Sequence, residues 1–247
     1  MIDEQDLERP NPPLFATTHW TMVVEAGQSD SPDARQALEA LCVSYWYPLY
    51  AFARGLGRQP EDAQDLVQGF FAQLIEKNSL RTADQTRGRF RTFLLTSFKR
   101  FTNNDWVKSK ALKRGGGTQP VSLDFDQGEQ RWEAEAPHAV KPDVEYERRW
   151  AVTLIEKART RLRDEFVRNG KLARFEALEP HLAGDPDAST YTALSKRFGI
   201  TEGGVKAEAF RLRQRYRSHL RAEVARTVLE QEEIDDEIAH LMTVLSG

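Results

Sequence analysis

Basic side chains recur at helical spacing in TYTALSKRFGITEGGVKAEAFRLRQRY, residues 190–216 of this 247-residue chain. Lys206, Arg213 and Arg217 are seven and four residues apart, so a helix brings them to one face. Cations at such spacing suit the phosphates of a nucleic acid. Before them, Gly199 marks a turn between two short helical patterns. The segment predicts a helix-turn-helix that binds DNA, and the alternative is a helical hairpin with a solvated charged face.

The second helix of this motif carries its own start signal and a buried stripe. The Thr201 hydroxyl is predicted to cap the helix, and Glu202 suits its positive end. Val205, Ala209 and Leu212 are the predicted buried positions. The residues predicted to contact DNA are Thr201, Glu202, Gly203, Lys206, Arg211, Arg213 and Arg217.

The residue types that usually carry catalysis are sparse. A single cysteine, Cys42, excludes an internal disulfide, and its apolar neighbours predict a buried position. The five histidines are dispersed without metal-ligand spacing, and no glycine-rich loop has a phosphate-binding pattern. The sequence also shows no membrane-spanning run and no signal peptide. It predicts a protein that is not an enzyme and has no cofactor and no metal.

A formal net charge of -3 conceals strong segregation along the chain. Residues 87–114 hold nine Lys and Arg against one acid, and residues 206–226 hold seven against two. Between them, residues 115–147 hold eight acids and two cations, and residues 229–247 hold six acids with no Lys or Arg. Two basic blocks separated by an acidic one indicate two contacts on a polyanion.

Apolar residues recur at spacings of three and four, and no segment alternates as a strand would. The predicted fold class is all-α, with two helical domains joined by an acidic linker. The predicted parts are an N-terminal extension (1–33), a first domain (34–114), an acidic flexible linker (115–145), a helix-turn-helix domain (146–226) and an acidic C-terminal helix (227–247). Pro48 falls within the first helical run, where it predicts a kink or an interruption.

Three motifs follow one another in a distinctive order: YWYPLYAFARGLGRQPEDAQDLVQGFFAQLIEK (45–77), GRFRTFLLTSFKRFTNNDW (88–106) and the helix-turn-helix. They resemble region 2, the promoter-melting helix and region 4 of bacterial sigma factors. The likeness is to the sigma-70 family, in the extracytoplasmic-function (ECF) group with an extended C-terminus. It covers roughly residues 34–223. The chain departs from the family's usual pattern at Gly69, where an acid is common, and at Phe93, where Trp is common.

The resemblance implies a cytoplasmic, nucleoid-associated initiation factor, monomeric when free. Its partners would be core RNA polymerase, through the β′ clamp helices and the β flap, and promoter DNA in duplex and melted form. The implied polymerase contacts are Asp62, Asp65, Leu66, Gln68 and Phe71. The implied -10 contacts are Arg87, Arg89, Arg91, Lys99, Asn103, Asn104, Trp106 and Lys110, with the loop 78–88 holding a flipped base. The helix-turn-helix residues would read the -35 element.

Several alternatives stay open at this point. A helix-turn-helix regulator that acts without polymerase is the rival function, and a protein-binding helical adaptor is a third. Trp106 is predicted either to stack on an unpaired base or to pack over its helix end. The linker is either a solvated tether or an acidic mimic of nucleic acid within a polymerase channel. The C-terminal helix needs a partner for its apolar side, either the helix-turn-helix or another protein surface, and an anti-sigma protein is a further possible partner.

Overall fold

The computed structural model describes residues 32–76, 89–108, 123–135, 141–182, 188–228 and 230–246. Within these ranges the chain is helical and has no strand, which confirms the predicted all-α class. The α-helices there are α1 (Pro32–Gly55), α2 (Pro60–Glu76), α3 (Phe90–Lys108), α4 (Phe125–Ala134), α5 (Pro142–Arg168), α6 (Leu172–Leu178), α7 (Ala188–Phe198), α8 (Glu202–Ala225) and α9 (Glu233–Ser246). A 3₁₀ turn at Glu179–Leu182 follows α6. None of these helices combines the length and apolarity needed to cross a membrane.

The described residues form two compact units. Unit 1 contains those up to Ala151 together with those from Ala225 onward, and unit 2 is Val152–Val224. The core of unit 1 is rich in aromatic side chains contributed by the first three helices. Phe98 of α3 meets Phe70 of α2 edge-to-face at 5.2 Å between ring centroids, and Phe52 of α1 at 6.0 Å. Burying each such ring contributes about 1.5–3 kcal/mol, so the predicted apolar faces hold the three helices together.

Of the kink or interruption predicted at Pro48, the interruption does not occur. Helix α1 continues through Pro48 to Gly55. Proline inside a helix costs roughly 3 kcal/mol because it removes a hydrogen bond and crowds the preceding turn. Tyr45, Leu49 and Phe52 on either side of it are almost fully buried, and their burial outweighs that cost. Cys42 is buried in the same helix, as predicted, and burial raises the pKa of its thiol to about 12.

Part of the predicted flexible linker is a folded helix. Helix α4 begins after Asp124, whose carboxylate accepts from the Gln127 amide at 3.0 Å. Phe125 packs edge-to-face on Trp46 of α1, at 5.1 Å between centroids. Gly128 fits against the same indole so closely that a Cβ there would lie 2.6 Å from a ring carbon. The prediction of a linker without structure is therefore wrong for residues 125–134.

The acidic composition of residues 125–134 predicted a flexible linker because the partners of these acids are distant in sequence. Glu129 receives two hydrogen bonds from the Arg54 guanidinium, at 2.8 and 3.0 Å, and one from the Tyr50 hydroxyl. Trp132 is buried beneath the same arginine, whose guanidinium carbon is 5.9 Å from the ring centroid. An acidic helix is stable here because α1 supplies both a cation and an aromatic surface.

Unit 2 contains the predicted pair of helices around a glycine turn. Gly199 has a φ of +65° between α7 and α8, a conformation in which glycine avoids the steric cost of a side chain. Ile200 packs against the core, and the Thr201 hydroxyl accepts from the Gly204 amide at 3.1 Å, as an N-cap does. The core combines the predicted Val205, Ala209 and Leu212 of α8 with residues of α5, α6 and α7: Leu162, Phe166, Phe175, Leu178, Tyr191 and Leu194.

Helix α9 belongs to unit 1. Its buried side consists of Ile234, Leu241 and one acid, Glu237. The Glu237 carboxylate forms ion pairs with Arg89 and Arg91 at the start of α3. The sequence left the partner of this helix open, and the structure places it against the basic helix of unit 1.

Candidate polymerase and nucleic-acid interfaces

The first candidate surface is the acidic side of α2. Asp62 and Asp65 are exposed, and Leu66 and Gln68 are half-buried. Between them, Ala63 and Val67 are fully buried and fix the rotation of the helix. The two carboxylates are therefore held on a rigid scaffold and point into solvent. Phe71 is almost fully buried with its ring 5.6 Å from that of Phe70, so it belongs to the core and does not fit the predicted polymerase contact.

Gly69 has a structural reason to differ from the acid that is common in the resembling family. A Cβ at this position would lie 3.3 Å from the tip of the Phe101 ring of α3. That contact is tighter than ordinary van der Waals distance, so a side chain here would require the Phe101 ring to shift by a few tenths of an ångström. Glycine at this point of the acidic surface leaves room for that ring.

The second candidate surface is the basic helix α3, and three of its predicted DNA contacts already have carboxylate partners within unit 1. Arg89 pairs with Glu237, Arg91 with Glu237 and Glu147, and Lys99 with Asp143. The sequence showed the cations as one continuous block, but the fold neutralises part of it. Only the charge that remains exposed is available for a polyanion.

Arg91 is the clearest case, since its side chain is only 4 % exposed. Its Nε lies 2.8 Å from a Glu147 oxygen, and its guanidinium carbon lies 4.1 Å from the Trp150 ring centroid. The Tyr146 hydroxyl donates to the Arg91 carbonyl at 3.0 Å, and burial raises the pKa of this tyrosine well above its usual value. Arg91 therefore does not fit the predicted DNA contact. It is a buried centre of unit 1.

Of the remaining predicted contacts, Asn103 is exposed on α3, and so is Arg100, a cation that the sequence did not single out. Asn104 and Trp106 lie within the helix, but their side chains are outside the described part of the chain, as are Arg87, Lys110 and the loop 78–88. The helical spacing of Phe90, Phe93, Phe98 and Phe101 predicts that they face the core; Phe90 and Phe98 are fully buried, and Phe93 and Phe101 are half-buried.

The third candidate surface is the outer face of α8. Thr201, Glu202 and Gly203 are exposed at its start, and Lys206, Arg211 and Arg217 are exposed along it. Arg213 is half-buried and donates to the His181 carbonyl at 3.3 Å, so it also links α8 to the 3₁₀ turn. Glu202 accepts from the Thr192 hydroxyl at 2.7 Å. Three of the predicted cations thus face solvent, and the fourth supports the fold.

One residue of this face was missed by the sequence reasoning. Phe210 is 54 % exposed, the largest value among the exposed large hydrophobic side chains of the described residues. Its spacing from Lys206 and Arg217, four and seven residues, carried the signal that it shares their face. The outer side of α8 therefore combines cations with an apolar ring, a mixture suited to base edges as well as phosphates.

Among the described residues, no group of three or more His, Cys, Asp or Glu side chains is arranged to hold a metal ion.

Comparison with known families gives a match to part of unit 1. Residues 44–111 match the family model for sigma-70 region 2. The match begins within α1, covers α2 and the described part of α3, and thus includes the first two candidate surfaces. Neither a search of curated proteins nor one of solved structures found a match. The chain contains a sigma-70 region 2 domain, which supports a sigma factor of the sigma-70 family.

Proposed function

We propose that the protein is a transcription initiation factor of the sigma-70 family, in the ECF group, which brings core RNA polymerase to promoters. The observation that carries this proposal is the region 2 match, with Asp62 and Asp65 exposed on a helix that the core holds rigidly. Exposed carboxylates in fixed positions suit a basic protein partner, because electrostatic complementarity speeds association and fixes register. The polymerase clamp helices are the partner that the family implies.

The DNA functions are assigned to two separate surfaces. Arg100, Asn103 and the continuation of α3 would contact the melted -10 element. Helix α8 would read the -35 element through its exposed N-terminus, with Lys206, Arg211 and Arg217 on phosphates. The basic surfaces of α3 and α8 would then contact different parts of a promoter. A regulator that binds DNA through a helix-turn-helix alone would not need the second basic surface on α3. The protein would act without catalysis of its own, in the bacterial cytoplasm.

Run-off transcription tests the whole proposal. Core RNA polymerase freed of its own initiation factors is given linear genomic fragments, with and without the purified protein. We expect discrete transcripts from a small set of fragments only when the protein is present, since promoter selection requires both DNA surfaces and polymerase binding. DNA binding with no such transcripts would favour a helix-turn-helix regulator that acts without polymerase.

The phosphate contacts of α8 make a quantitative prediction for duplex DNA. Replacing Lys206, Arg211 and Arg217 together by alanine should lower the slope of log affinity against log salt by roughly 3, since each phosphate contact accounts for about 0.9. Fluorescence anisotropy with a labelled duplex at several salt concentrations measures it. The matched control removes three exposed cations elsewhere in unit 2, at Arg163, Arg168 and Lys171. Equal loss of slope in both variants would place the DNA surface elsewhere.

A further inference from the structure

Helix α9 holds a buried acid against the beginning of the basic helix α3. The Glu237 side chain is fully buried, and its two oxygens pair with different arginines: one with Arg91, the other with Arg89. Arg91 also pairs with the Glu147 carboxylate and lies over the Trp150 ring, so its charge is balanced even without Glu237. The additional contact of Glu237 reaches Arg89, whose side chain is 31 % exposed and which is the more exposed of the two arginines.

This contact is placed where it competes with a polyanion. A carboxylate and a phosphate seek the same guanidinium donors, and both bind arginine by charge-assisted hydrogen bonds.

We infer that α9 is a cis-acting competitor of DNA at the start of α3. In the free protein, Glu237 occupies Arg89, so the region 2 surface binds single-stranded DNA with one cation fewer than it would without this contact. This inference rests on the proposed function, since it concerns the regulation of the same DNA surface. It also gives the acidic C-terminal helix a role beyond packing: it lowers the affinity of the free protein for DNA.

The test uses the full chain and a fluorescein-labelled single-stranded 30-nucleotide DNA of mixed sequence. The variant Glu237→Gln keeps the shape of the side chain, removes its charge and replaces one acceptor oxygen by an NH2 donor, which cannot accept from a guanidinium. We expect it to bind this DNA about 5–10-fold more tightly at low salt. The slope of log affinity against log salt should steepen by about 0.7, the value for one more phosphate contact on a single strand. Anisotropy titrations at several salt concentrations give both quantities.

Two further variants test whether the tighter binding comes from the release of Arg89. Asp236→Asn removes one charge from the exposed side of the same helix and should leave the slope unchanged. The double variant Arg89→Ala/Glu237→Gln should lose the gain, because the released cation is missing. If thermal melts show that Glu237→Gln folds poorly, Arg89→Ala alone tests the inference. If Glu237 occupies Arg89 in the wild type, removing this arginine should not change the salt slope. If Arg89 contacts DNA in the wild type, removing it should lower the slope by about 0.7.

The outcomes separate this inference from the function on which it rests. If the wild type, Asp236→Asn and Glu237→Gln bind DNA with the same affinity and salt slope, the inference that α9 competes with DNA is overturned. Helix α9 would then have a structural role only. A failure of all variants to bind DNA would overturn the DNA part of the proposed function together with this inference. Tighter and more salt-dependent binding by Glu237→Gln alone would establish it.

Discussion

Reversing the charge of Asp62 and Asp65 to lysine is expected to abolish co-elution of the protein with core RNA polymerase on gel filtration. Both carboxylates are exposed on α2, whose buried side is formed by Ala63 and Val67, so the change alters the surface and leaves the core intact. Like charges brought together at an interface cost several kcal/mol. A loss of about 3 kcal/mol corresponds to roughly a hundredfold weaker binding.

The control for this result is a second double reversal, Asp164→Lys with Glu176→Lys, at two exposed acids of unit 2. It changes the net charge by the same amount and should leave co-elution intact. The far-ultraviolet circular dichroism of both variants should match that of the wild type. Co-elution that survives the change at Asp62 and Asp65 would remove α2 as the polymerase surface.

Replacing Arg91 by alanine is expected to destabilise unit 1 by about 3 kcal/mol, the low end of the cost of removing one partner from a buried ion pair. The fully buried Glu237 would then keep only Arg89, whose side chain is 31 % exposed. In a unit of this size, each kcal/mol lowers the melting temperature by about 2–4 °C, so a drop on the order of 10 °C should appear in a thermal melt. A simple DNA contact on the surface would produce no such loss.

Two further variants test the cause of that loss. Arg100→Ala removes an exposed arginine of the same helix and should change stability by less than about 0.5 kcal/mol. The double variant Arg91→Met/Glu237→Met removes both charges of the pair, and its melting temperature should recover much of the loss, because apolar side chains of similar size can replace a buried ion pair. Equal melting temperatures for Arg91→Ala and Arg100→Ala would contradict the buried network.

Helix positions and apolar faces were readable from the sequence because a helical period is a local property. The aromatic series of α3 predicted Phe90 and Phe98 in the core, and both are fully buried. The turn at Gly199 and the cap at Thr201 were also readable, since each depends on residues within a few positions. The helix at residues 125–134 was missed, because its stability depends on Trp46 and Arg54 of α1 and not on its own acidic composition.

The same distinction between local pattern and long-range contacts applies to the site residues. The sequence by itself determined which residues are basic and which share a helical face, and it singled out Asp62, Asp65, Lys206 and Arg217, all of which the structure exposes. Only the tertiary structure decided that Arg91 is buried and that Phe71 belongs to the core. The contact between Arg91 and Glu237 joins residues 146 positions apart. Charge pairing at that separation depends on the path of the whole chain, and local pattern carries no information about it.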